Sequence, residues 1–171
     1  MESTRMTARM PRDFVVFLIG MRVNRWWRFD LWIPITFAMM RMMRELASRP
    51  ESGFLGSETP GPSNPSMMVQ YWESAEHLQA YARAKDGAHF PAWADFKRKV
   101  ERTNAVGVWH ETYVVRGGAH ESVYVNMPPF GLGKVGELIP AHGAHATARG
   151  RLASTSRAPG QESAAISAER A

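Results

Sequence analysis

Phe14-Val-Val-Phe-Leu-Ile-Gly-Met21 carries no polar side chain on either of the two faces that an extended backbone presents. A strand of that composition must be covered on both sides, so the chain has to build a central strand with one layer above it and another below. Asp13 precedes the run and no small-residue cleavage site follows it, which separates it from an export signal. Everything downstream must supply the two covers.

The first cover is a helix. Asp30 is placed to cap it, Pro34 falls in its first turn, and Ser48-Arg-Pro50 stops it. Ile35, Met39, Met42 and Leu46 recur at helical spacing and mark its buried stripe, which Met40 and Met43 widen. The apolar stretch Leu31 to Met43 falls short of the roughly 20 residues that cross a bilayer. It is a core helix or, alternatively, one lying on a membrane surface, and no stable membrane insertion is expected. Gly53–Ser57 and Met67–Trp72 then read as strands. Ser74 caps a second helix carrying Leu78 and Tyr81, and Pro91 opens a third with Trp93, Phe96 and Val100. Ala105–Arg116 alternates as a further strand, and after Gly117-Gly118 the segment Glu121–Asn126 returns as its hairpin partner.

This β-α-β-β-α-β order predicts an α+β fold, the ferredoxin-like sandwich with an antiparallel sheet and an additional C-terminal hairpin strand. Helices cover one face of such a sheet. A second copy of the chain covering the other is the economical solution, so a homodimer is expected. Residues 1–12 are expected as a flexible N-terminal segment, 13–140 as the folded domain, and 141–171, poor in large aliphatics, as a disordered tail.

The excess charge of +5 sits at the ends. Residues 1–28 hold six Arg against Glu2 and Asp13, and 141–171 hold four Arg against Glu162 and Glu169. Between them 11 basic groups face 12 acidic ones. A core so nearly balanced, without a basic-aromatic strand signature, argues against nucleic-acid binding. The absence of cysteine excludes disulfides, thiolate metal sites and cysteine nucleophiles, and a cytoplasmic location is expected.

Several segments together resemble one family. They are Phe17–Trp26, Val69-Gln-Tyr-Trp-Glu-Ser-Ala-Glu-His-Leu-Gln-Ala-Tyr81, His89–Phe96, Trp109–Tyr113 and Tyr124–Gly133. The chain is similar, over about residues 13–135, to an uncharacterised bacterial monooxygenase-like family of the dimeric α+β barrel superfamily. The resemblance implies a small apolar or aromatic substrate held between sheet and helices, with a histidine as general base and no required cofactor. A haem enzyme with a histidine axial ligand, or a non-catalytic dimer that binds a small ligand, are the alternatives it leaves open. Haem-degrading relatives use an Asn, a Trp and a His at set places. Here Asn24 could match the first, but Tyr81 and Pro91 stand at the other two, which argues against that mechanism.

His89, at a helix entrance beside Trp93, and His110, on a strand face otherwise carrying valines, are the candidate catalytic residues. Arg22 and Asn24 follow the first strand and can orient a polar group, while Trp26, Tyr71 and Trp93 can furnish an aromatic pocket and Asn126 can cap it. His142 and His145 lack companion ligands, so no metal site is assigned.

Overall fold

The computed structural model describes residues 5–85 and 87–155. The chain divides into two compact units, one formed by Val15–Tyr113 and the other by Met1–Phe14 together with Val114–Ala171.

The first unit contains a four-stranded sheet. Its strands are β2 (Phe14–Val23), β3 (Phe54–Glu58), β4 (Met68–Trp72) and β5 (Val106–Val115), in the order β3-β4-β2-β5. β2 runs antiparallel to β4, and β4 to β3. Helix α1 (Phe29–Ala47) links β2 to β3, while α2 (Ala75–Arg83) and α3 (His89–Lys99) link β4 to β5. Split β-α-β connections around an antiparallel sheet make this the ferredoxin-like fold from which dimeric α+β barrels are built. The apolar run that demanded burial is the central strand β2. Ser74 accepts the His77 N–H at 3.3 Å and caps α2 as expected. The start of α1 differs: Arg28, not Asp30, is the boundary residue, and Asp30 lies in the first turn with its carboxylate clamped by the Arg28 guanidinium at 2.9 Å.

All three helices pack on one face of the sheet. Val15 and Trp72 form a buried cluster with Leu46 of α1, against which Phe17, Phe54, Leu78 and Tyr81 pack. Leu31 of α1 joins Phe96, Val100, Ala105 and Val106 in a second cluster that Met21 and Ile35 complete. Because side chains alternate along a strand, Val16, Leu18 and Gly20 of β2 point to the other face. Their partners there are Tyr71 and Val69 of β4, and Trp109 of β5 lies beside them. Gly20 is obligatory at this point, because a Cβ there would lie 1.9 Å from the Ser66 carbonyl oxygen and 2.6 Å from Trp109 Nε1.

The second unit corrects the expectation for both ends. Arg5–Arg9 is a strand, β1, at the centre of a three-stranded antiparallel sheet between β6 (Tyr124–Val125) and β7 (Glu137–Pro140). The expected hairpin partner of β5 therefore pairs with β1 instead. The redirection is local: the Gly117 N–H donates to Asp13 Oδ1 at 2.7 Å, and Gly118 takes a left-handed turn conformation with φ +83°. Residues 132–135 form a short helix, α4, and Ala148–Thr155 forms α5 within the segment expected as a tail. Arg151 holds α5 in place, only 3% exposed, donating to Glu121 and to the carbonyls of His145 and Ala146. A helix anchored by a buried guanidinium needs little aliphatic surface, which is why composition did not reveal it. The remainder of the expected tail, 156–171, and residues 1–4 of the expected N-terminal segment lie outside the described residues.

Candidate functional site

The helix-covered face of the sheet carries one row of side chains running across all four strands. Register places Ser57 of β3 opposite Gln70 of β4, and Gln70 opposite Phe17 of β2. On β5, the His110 ring lies 5.6 Å from the Phe17 ring, tilted by 38°. The row is therefore Ser57, Gln70, Phe17, His110. Met43 of α1 lies over its first half, accepting weak hydrogen bonds at its sulfur from Ser57 Oγ at 3.9 Å and Gln70 Nε2 at 3.7 Å.

Gln70 is the chemically unusual member. It is 4% exposed, and among the described residues of this unit it is the only fully buried polar side chain. Trp72 Nε1 can only donate, and it meets Gln70 Oε1 at 3.0 Å, so the amide nitrogen must face the other way. There its two N–H donors find only the thioethers of Met43 and of Met68, the latter at 3.5 Å. Sulfur is a weak acceptor, so this amide is poised to give a better hydrogen bond to a ligand oxygen. Nothing in the sequence gives Gln70 a role beyond the signal of one amide inside the apolar run Met-Met-Val-Gln-Tyr-Trp. His110 stands at the open, solvent-exposed end of the row.

His89 belongs to a different cluster. At the entrance of α3 its Nδ1 lies 3.0 Å from the Ala82 carbonyl, an acceptor only, so Nδ1 carries the proton and Nε2 is the free basic nitrogen. Its ring neighbours Tyr81 at 6.1 Å, which neighbours Trp72 at 5.9 Å. Tyr81 donates to Glu45 Oε2 at 3.3 Å, and burial, followed by the Glu45 charge, pushes its phenol well above the ordinary range. The same carboxylate oxygen accepts the Ala88 N–H at 2.9 Å, just ahead of α3, while Arg49 approaches Oε1 at 3.1 Å. Glu45 thus ties the end of α1 to both following helices, a role that its place in the sequence does not announce. The ring contact of His110 is with Phe17 and that of His89 with Tyr81.

Of the other expected site residues only Trp93 shares an element with a candidate histidine, four residues after His89 on α3. Arg22 is exposed at the end of β2; Asn24 is exposed and donates to the Asn104 carbonyl at 3.2 Å. Trp26 is exposed, and its carbonyl accepts Trp32 Nε1 at 3.1 Å. Tyr71 lies on the opposite face of the sheet from the row. Trp93 is exposed, stacks on Phe96 at 5.3 Å and carries Lys97 Nζ 5.6 Å above its ring. Asn126, left-handed with φ +54°, is in the other unit.

A groove of about 380 Å³ separates α1 from α3, floored by Leu31, Ile35, Phe96 and Val100. Neither histidine lines it. It presents no His, Cys, Met or Tyr that could stand axial to a haem iron, so haem does not fit this groove. Among the described residues no cluster of three or more His, Cys, Asp or Glu is placed to hold a metal ion, and no helix is long and apolar enough to cross a membrane.

Three comparisons bear on this architecture. The family model described as "Monooxygenase af470-like" matches residues 14–132. Monooxygenase af470 of Aspergillus fumigatus is 26% identical over 96 residues, covering 56% of this chain and 33% of that protein, so the chain spans about a third of the relative's length. Among solved structures, the aldoxime dehydratase OxdRE, in complex with butyraldoxime, superimposes with a TM-score of 0.62 at 17% identity, over 78% of this chain and 39% of that one, a likeness of fold alone. The cofactor-independent oxygenase SnoaB of Streptomyces nogalater is more distant, with a TM-score of 0.43 at 13% identity over 61% of this chain and 94% of that one.

Proposed function

We propose, from the premise that the chain belongs to the monooxygenase af470-like family, that it oxidises a small, largely apolar aromatic molecule held on the row Ser57–Gln70–Phe17–His110. That row is the observation that carries the reading. It sets a ring-sized apolar contact, Phe17, between a buried hydrogen-bond donor and an accessible imidazole.

A ring lying on Phe17 would direct an oxygen substituent to the Gln70 amide and an acidic C–H or O–H to His110. His110 takes the proton as general base. The charge that develops on the substrate oxygen is met by the Gln70 N–H groups in a layer otherwise lined with thioether and aromatic carbon. The electron-rich anion then reduces dioxygen. For an activated methylene, two C–H bonds are lost, one oxygen atom stays as a carbonyl and the other leaves as water. The reaction requires no cofactor. A second copy of the chain covers the opposite sheet face, where Val16, Leu18, Val69, Tyr71 and Trp109 are neither fully buried nor fully exposed, making the protein a homodimer.

Anthrone, a planar ketone with an acidic methylene, is a suitable probe, with oxygen uptake and the quinone absorbance as readouts. His110→Ala should lower kcat/KM by about 10²-fold or more, the ordinary contribution of a general base. Wild-type turnover in His110→Ala would refute the role of His110. A large loss confined to His89→Ala would move the base to His89 Nε2. Saturable binding of the probe with no oxygen uptake would identify a non-catalytic binding dimer.

A further inference from the structure

We propose that the outer face of α1, with the loop that leads into it, docks on an anionic lipid surface. Opposite its buried stripe, α1 carries a second apolar stripe, Phe29, Ile33, Phe37 and Met40, at spacings of 4, 4 and 3. Phe29 is 63% exposed and Phe37 62%. A helix apolar on both sides requires a cover on both. The loop ahead of it adds Trp26 and Trp27, the latter 70% exposed. Trp26 is held by Trp32, whose ring meets it edge-on at 5.9 Å and whose Nε1 donates to its carbonyl, so the loop is fixed before any partner arrives.

The charge around these side chains selects the occupant. From Arg25 to Arg44 the sequence contains four Arg and one acid, Asp30, which Arg28 neutralises. Among the described residues, Arg25, Arg41 and Arg44 have no ion-pair partner and all three are exposed. Exposed tryptophan and phenylalanine rimmed by free guanidinium groups is the chemistry that seats a protein at a headgroup layer, the rings at the acyl boundary and the arginines on phosphates. A second copy fits worse, because a two-fold contact would set this uncompensated positive patch against itself. The arrangement does not depend on the oxidase reading, and suits an apolar substrate that partitions into lipid.

The test uses the full chain and sucrose-loaded vesicles, either of phosphatidylcholine alone or with one third phosphatidylglycerol. Co-sedimentation should be confined to the anionic vesicles, weaken with salt, and be accompanied by a blue shift of tryptophan emission. Arg41→Gln/Arg44→Gln should lower partitioning about 25-fold, at about fivefold per arginine near a charged surface. Trp27→Ser/Phe37→Ser should lower it at least as far, with an unchanged thermal transition showing that both variants fold. Failure of the folded wild type to sediment with either vesicle would overturn the proposal, as would variants that bind like wild type. A light-scattering mass that falls on Trp27→Ser/Phe37→Ser without vesicle binding by the wild type would assign the face to a second copy, which also overturns it.

Discussion

Replacing Glu45 by alanine should loosen the junction of all three helices. One carboxylate oxygen serves two donors, Tyr81 Oη at 3.3 Å and the Ala88 N–H at 2.9 Å, and the side chain is 14% exposed. Ala88 immediately precedes α3, which has no side-chain cap of its own, so Glu45 acts as a remote cap. Hydrogen bonds to a charged group contribute about 1.5–3 kcal/mol each, and orphaned donors at a partly hydrated site recover some of that from water. The Arg49 contact, with Arg49 itself partly exposed, adds no more than about 1 kcal/mol. Together these give about 2–4 kcal/mol for Glu45→Ala, against about 1 kcal/mol for Glu45→Gln, which retains a neutral acceptor. Urea unfolding followed by tryptophan fluorescence measures both, since Trp72 lies 5.9 Å from Tyr81. A cycle with Tyr81→Phe should show coupling of about 0.5–1.5 kcal/mol. Glu45→Gln should also lower the Tyr81 phenol pKa without returning it to the ordinary value, because burial, the larger cause, remains. A loss below about 0.5 kcal/mol for Glu45→Ala, with no coupling to Tyr81, would refute the shared-acceptor argument.

Two further outcomes test the other unit. Arg151→Met should cost about 2–4 kcal/mol in chemical unfolding, since it strands Glu121 and two carbonyls that a single buried guanidinium serves, and Arg151→Lys should recover only part; a loss under about 1 kcal/mol would show that α5 is not anchored there. Burial lowers the His120 pKa, a backbone hydrogen bond with Ala8 partly opposing it, so the folded state prefers the neutral ring. Stability should therefore hold above the unfolded value of about 6.5 and decline as pH falls below it. His120→Gln should flatten that decline, and an unchanged pH profile would assign the acid sensitivity elsewhere.

The first unit was legible because its elements declare themselves within short windows. The two-sided apolar run specified β2, the spacing of Ile35, Met39, Met42 and Leu46 specified α1, and the alternation after Ala105 put His110 on the same face as Val106. What escaped was structure fixed by distant or polar partners. Arg5-Met-Thr-Ala-Arg9 lacks a run of β-branched residues and becomes a strand through partners near the far end of the chain, one of them only two residues long. Helix α5 rests on Arg151, and a lone arginine in a polar segment reads as solvated. Gln70 escaped because the residues around it in its strand predict burial without saying that one amide would be kept there. The histidines were found as residue types; only the fold shows that His110 shares a row with Gln70, whereas His89 attaches to Tyr81 and Ala82.

The place of β1 has a consequence for how the molecule is made. Its Arg9 pairs with Glu137, 128 residues later. At a synthesis rate of about 5–20 residues per second, β1 leaves the ribosome several seconds or more before β7 exists to pair with it. Val15–Tyr113 is one continuous segment and can collapse in that interval, while β1 waits with both edges open and its hydrogen bonds to water. Made ahead of both its partners, β1 must wait for its sheet, and the interval before β6 and β7 emerge is when a chaperone, or a neighbouring nascent chain, has access to its edges.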